Sequence, residues 1–323
     1  MMDRRGFLRL VGGAAAAGTV AACVGRASTV TASSGRLDAA AFHAARRFAA
    51  TPSGKIAYVE RGAGGAALFL HGFPLNGFQW RGALERLSPY RRCIAPNFLA
   101  MGHTEVGAGQ SVDPAAQVAM LVALLDTLGI QTADVVANDS GGTVAQLLVA
   151  RCPERVRSLL LTNCDVEGDR PRARAPGIER SRRGELADQW LGAWRRDQAL
   201  VRSSRGIGGM CYADPSQLTD EAIETYFAPL VASDRRKALV HDHAIALERN
   251  PLAGTEYPLG CAMVPTRIVW GTADTMFSSG NPDYLDRTVG NSLGVRRLHG
   301  AKLFWPEERP DVVAEEARAL WAR

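Results

Sequence analysis

The chain has 323 residues, 46% of them apolar, enough for a well-buried core in one large domain or two small ones. Its net charge of +5 is spread along the chain, with one local concentration from Arg170 to Arg183. That stretch lacks interleaved aromatics and any nucleic-acid motif, so it reads as a solvated connector, and nucleic acid is not an expected partner.

The first 36 residues read as a targeting segment and tether and are set aside from the fold. Arg4-Arg5-Gly6-Phe7-Leu8 is a twin-arginine pattern, followed by a weakly hydrophobic run from Leu10 to Ala22 that is too short to span a bilayer. Val20-Ala21-Ala22-Cys23 fits a lipobox with Cys23 as the lipidated residue, and a plain cleavage site before Cys23 fits as well. The expectation is an exported protein, periplasmic or lipid-anchored at Cys23.

After the tether, Arg46-Ala50 and Lys55-Arg61 form a pair of strands joined by the turn signal Thr51-Pro52-Ser53-Gly54. Ala66-Leu70 and Arg92-Pro96 are continuous apolar runs, as expected of strands covered on both faces of a parallel sheet. A helical period runs from the cap Asp113-Pro114 to Leu128 and stops at Gly129. The stretch Asp134-Val135-Val136-Ala137 then turns abruptly through Asn138-Asp139-Ser140-Gly141-Gly142 into a second helix. Further strands follow at Val156-Thr162, Pro265-Trp270 and Val295-Leu298, with a last helix from Pro310 to Trp321. Between about 166 and 255 only helical periods and turns occur, which reads as a helical lid between core segments 37–165 and 256–323. Strands alternating with helices argue a mostly parallel α/β sheet.

The sharp strand-to-helix corner is the centre of the reading. A nucleophile on such a corner needs small residues two before and two after it. Centred on Asp139 the flanks are Ala137 and Gly141; centred on Ser140 they are Asn138 and Gly142, so sterics favour Asp139. The bland alternative is that Asp139 caps the following helix. Cys93, Cys152, Cys164, Cys211 and Cys261 have no metal-ligand spacing and read as buried small hydrophobes. No phosphate-binding glycine pattern is present, so neither cofactor nor metal is expected.

At these residues the chain resembles the α/β-hydrolase fold, in its lidded branch of haloalkane and haloacetate dehalogenases and epoxide hydrolases. His71-Gly72-Phe73-Pro74 resembles the oxyanion loop, Asn138-Asp139-Ser140-Gly141-Gly142 the nucleophile elbow, and Trp270-Gly271-Thr272-Ala273-Asp274 the turn that carries the acid. Cys211-Pro215 and Tyr226-Leu230 look like lid sequence. The similarity covers about residues 46 to 322 in unbroken order. It implies a hydrolase of a small, mostly apolar substrate such as a haloalkane, epoxide or ester. Asp139 would be the nucleophile, Asp274 the acid, and the N–H groups of Phe73 and Ser140 the oxyanion hole. His71, Tyr212 and Tyr226 would contact substrate.

The resemblance also has departures. Gly300-Ala301-Lys302-Leu303-Phe304 aligns with the family's histidine loop, which puts Leu303 at the histidine and Lys302 at the preceding glycine. Ser140 stands where many dehalogenases have tryptophan, and Asn97 where the family usually has aspartate. Candidates to replace the histidine are Lys302, paired with Asp274, and the histidines His299, His241 and His243; Asp165 is a second candidate acid. Two further readings stay open: a non-hydrolytic ligand-binding, lyase or isomerase member, and a serine hydrolase using Ser140.

Overall fold

A computed structural model describes residues 36–169 and 174–323. The twin-arginine pair and Cys23 lie outside the described residues. Eight strands form one sheet: β1 (Arg46–Thr51), β2 (Gly54–Arg61), β3 (Ala66–Leu70), β4 (Arg92–Pro96), β5 (Ala133–Ala137), β6 (Val156–Thr162), β7 (Thr266–Gly271) and β8 (Ser292–Leu298). Their spatial order is β1-β2-β4-β3-β5-β6-β7-β8. β1 and β2 form an antiparallel hairpin and β2 runs antiparallel to β4, whereas every pairing from β4 to β8 is parallel.

Burial explains why these segments are strands. Every residue of β3 and of β5 is buried, because helices cover both faces of the central sheet. Leu68, Phe69 and Leu70 have no solvent exposure, each removing side-chain area that stabilises by roughly 1.5–3 kcal/mol as an upper estimate. The hairpin turn closes at Gly54, whose φ of 124° is open to glycine and strained for other residues. β8 begins three residues before the segment legible in the sequence, after which Gly294 at φ 83° interrupts its alternation.

Helix Ser140–Arg151 packs close under the sheet: a Cβ on Gly142 would lie 2.4 Å from the Cβ of Cys164. Between β6 and β7 the described residues form only helical segments and turns, from Ala175–Arg182 to Glu256–Cys261, and no strand. Helices Gly77–Trp80, Arg81–Leu87 and Asn281–Thr288 had no strong local signature. Of the five described cysteines, Cys93, Cys164 and Cys211 are buried; Cys152 is half-buried and Cys261 is exposed, contrary to the expectation for those two. Among the described residues no helix is long and apolar enough to cross a membrane.

Candidate active site

The corner after β5 is strained at one residue. Asp139 has φ 52° and ψ −128°, far from the extended backbone of an N-cap, and its side chain makes no capping hydrogen bond. The cost of that conformation is of order 1–3 kcal/mol, and the surroundings hold it. Asp139 N–H donates to Asn163 O at 2.8 Å, and Gly141 passes so near β3 that a Cβ there would lie 2.4 Å from Leu70 O. The steric requirement read from Ala137 and Gly141 is therefore met around Asp139.

Asn138, the large flank that counted against a corner centred on Ser140, is the hub of the corner at Asp139. Its Nδ2 donates to Thr162 Oγ1 at 2.8 Å and to Leu303 O at 3.1 Å, and its Oδ1 accepts from Gln79 Nε2 at 2.7 Å. Gln79 Oε1 in turn accepts from Gly72 N at 2.9 Å. The elbow, the oxyanion loop and the loop at Leu303 are thus tied together through two buried side-chain amides, Asn138 and Gln79.

The Asp139 carboxylate is buried and oriented by backbone donors. Its Oδ2 accepts from Phe73 N at 2.8 Å, and Ser140 N–H is a second donor to the carboxylate. Burial pushes the carboxyl up to about 6, against the opposing pull of Arg174 and the Phe73 N–H. The carboxylate opens on a cavity of about 120 Å³ whose walls include Ile178, Trp190, Trp194, Met210, Leu303 and Phe304. Asp139 and Arg174 are the only charged side chains lining it among the described residues.

Arg174 belongs to the arginine-rich stretch read as a solvated connector, and the structure corrects that reading at this residue. Its side chain is 13% exposed; Nη1 donates to Asp165 Oδ2 at 2.5 Å and Nη2 to Asp139 Oδ1 at 3.4 Å. Its guanidinium carbon lies 4.9 Å from the centroid of the Phe277 ring. Desolvation opposes its charge, but Asp165 and Asp139 outweigh that and raise its pKa. No periodicity or motif marked this residue.

Asp274 is half-buried at the exit of β7. Its Oδ2 accepts from Asn163 Nδ2 at 2.8 Å and its Oδ1 from Met276 N at 2.8 Å. Desolvation raises its pKa, although these donors favour the charged form. Asn163 Oδ1 also accepts from Trp305 Nε1 at 3.1 Å and Gly271 N at 2.8 Å. Asp274 therefore holds an asparagine, not the lysine pairing that the sequence suggested. Leu303, 1% exposed, lines the cavity beside Asp139.

The remaining candidates lie apart from the cavity lining. Lys302 Nζ donates to Gly209 O at 2.6 Å, bolting the lid to the Leu303 loop. His71 is buried, with Nδ1 donating to Gly72 O at 2.9 Å and Nε2 accepting from Phe98 N at 3.1 Å. Burial pushes it down to about 3, so the ring is neutral, and backbone groups of the oxyanion loop and of Phe98 occupy both its nitrogens, in place of the expected substrate contact. Tyr212 Oη and Tyr226 Oη both donate to Glu307 Oε2, at 2.6 and 2.9 Å, while Arg81 Nη1 reaches Glu307 Oε1 at 2.5 Å. Their hydroxyls serve this buried lid-to-core cluster, in place of the expected substrate contact. Among the histidines, His299 is exposed, His241 Nε2 accepts from Ala187 N at 3.1 Å, and His243 Nδ1 bonds Val112 O at 3.0 Å. Burial pushes His243 down to about 4. Asn97 Oδ1 accepts from Gly77 N at 3.0 Å, a loop-bracing role.

Residues 67–304 match the alpha/beta hydrolase fold family. The chain belongs to that family. It is 40% identical over 111 residues to a haloalkane dehalogenase of Mesorhizobium japonicum, covering 32% of this chain and 34% of the relative. The match thus spans about a third of that relative's length. Over 276 residues it is 25% identical to haloalkane dehalogenase 2 of Mycobacterium tuberculosis, covering 81% of this chain and 89% of the relative. Among solved structures, the epoxide hydrolase CorEH superposes with a TM-score of 0.71 at 19% identity, over 86% of this chain and 98% of that one, a likeness of fold.

Proposed function

We propose that this protein is a hydrolase in which Asp139 attacks an electrophilic sp³ carbon of a small, mostly apolar substrate. Asp139 Oδ1 gives a lone pair to the carbon, the bond to a halide or epoxide oxygen breaks, and an alkyl-enzyme ester remains. The observation that carries this reading is the Asp139 carboxylate itself. It sits on the strained corner, with Oδ2 held by Phe73 N–H, and the residue lines an apolar cavity. The likeness to named dehalogenases supports it. Phe73 N–H and Ser140 N–H would stabilise the oxyanion when water attacks the ester.

Leu303 favours a qualification. A leucine in the cavity wall beside the ester offers no proton acceptor, and Asp274 is committed to Asn163. Hydrolysis of the ester is then the slow step, and a protein that stops there acts as a single-turnover alkyl acceptor or as a ligand-binding member. The serine reading is weaker, because the strained corner centres on Asp139 and Ser140 already begins the helix. Export with a lipid anchor at Cys23 belongs to the same proposal; membrane fractionation of the Cys23→Ala variant tests it.

The deciding experiment is intact-protein mass spectrometry after incubation with haloalkanes, haloacids and epoxides, followed by peptide mapping. An adduct on Asp139, absent in Asp139→Asn, is expected. Neither adduct nor product across the panel would remove the alkylation reading for those substrates.

A further inference from the structure

Arg174 carries two carboxylates unequally. The Asp165 contact at 2.5 Å supplies a close counter-charge, and Thr143 Oγ1 fixes the same Asp165 oxygen at 3.1 Å. The Asp139 contact at 3.4 Å is the looser of the two, and both Asp139 and Arg174 line the cavity. Arginine remains charged whatever happens to its partners. Loss of the Asp139 charge therefore leaves a cation in an apolar cavity with one carboxylate instead of two.

We propose that Arg174 is an anion receiver controlled by the charge on Asp139: it holds a small monovalent anion in the cavity whenever Asp139 is uncharged. The inference deepens the alkylation reading and rests on it for its role in turnover. As Asp139 Oδ1 forms the C–O bond, the C–X pair departs with X, so one negative charge moves from carboxylate to leaving anion. Arg174 faces two negative charges before the step, from Asp139 and Asp165, and two after it, from X⁻ and Asp165. The ion balance of the cavity is kept, and the leaving group is drawn off the reacting carbon. A substrate carboxylate presents the same chemistry to the same nitrogen.

The other titratable groups around this pair are Asp165, Asp274, the thiols of Cys164 and Cys211, and His243. Burial raises both thiols well above their ordinary range and keeps His243 neutral above about pH 4. Asp139, near 6, changes charge beside Arg174 between pH 5 and 8.

The test is equilibrium binding of bromide and of acetate to the purified full chain, by calorimetry and by the fluorescence of Trp190 and Trp194 in the cavity wall. At pH 8, Asp139→Asn should bind the anion about tenfold or more tightly than the unaltered protein, the scale of one exposed-to-buried charge contact. The unaltered protein should approach that affinity as the pH falls below about 6. In the Asp139→Asn background, Arg174→Gln should lose about tenfold or more, and Arg174→Lys should lose less. Preference for bromide supports capture of a leaving halide, and preference for acetate supports capture of a substrate carboxylate. Equal affinity of the unaltered protein and Asp139→Asn at pH 8 overturns the proposal, as does binding unaffected by Arg174→Gln. If Arg174→Gln fails to fold, the pH comparison and Arg174→Lys still decide. Anion binding as expected with neither adduct nor product across the panel would remove the alkylation reading for those substrates and leave the receiver standing.

Discussion

Gly72→Ala should separate the oxyanion loop's part in catalysis from its part in folding. A Cβ at Gly72 would lie 2.7 Å from Asp139 Oδ2, 2.8 Å from Asp139 Cβ and 3.0 Å from Phe304 Cε1. Ordinary contact begins near 3.4 Å, so the carboxylate must retreat by 3.4 − 2.7 = 0.7 Å. The same displacement along the Phe73 N–H bond would stretch it from 2.8 to 3.5 Å, the limit of a hydrogen bond. The loss of a charge-assisted bond costs about 1.5–3 kcal/mol, and misplacing the reacting atom by nearly 1 Å lowers the rate by on the order of a hundredfold. Global stability should fall by about 1–3 kcal/mol or more, because Asp139 Cβ at 2.8 Å moves only with the backbone of the strained corner. Thermal unfolding and the rate of adduct formation on Asp139 read the two effects separately. A folded Gly72→Ala protein that alkylates at the original rate would refute the assignment of Phe73 N–H and Asp139 as a working pair.

Leu303→His should place a proton acceptor in the cavity wall and shorten the lifetime of an Asp139 adduct by up to about a hundredfold, the lower end of general-base catalysis; time-resolved intact mass is the assay. Alkylation itself should rise with pH through about 6, because the attacking form is the carboxylate and burial raises its pKa; a rate flat between pH 5 and 8 would contradict this. Tyr212→Phe and Tyr226→Phe should each cost about 1.5–3 kcal/mol in chemical denaturation through the lost bond to the Glu307 carboxylate, with the alkylation rate within about twofold of the original. Lys302→Met should lower stability by about 1 kcal/mol through the lost bond to Gly209 O and leave the adduct lifetime unchanged; a longer lifetime would make Lys302 the water-activating group.

The framework of this protein was legible in the sequence because its signals are local. Ala66–Leu70 and Ala133–Ala137 read as buried strands from their apolar runs, and the small residues around Asp139 announced a corner that sterics alone permit. Four motifs in order then identified the fold. What the tertiary structure alone decided is where polar side chains find partners. Arg174 looks like the exposed Arg182 and Arg183 of the same stretch until Asp139 and Asp165 are brought to it from the ends of β5 and β6. Tyr212 and Tyr226 resemble substrate contacts until Glu307, 95 and 81 residues away, takes both hydroxyls. Lys302 looks like a replacement base until Gly209 O accepts its ammonium. A buried polar group must be satisfied, and the partner that satisfies it comes from wherever the fold delivers one. Apolar periodicity is written along the chain, whereas that pairing exists only in three dimensions.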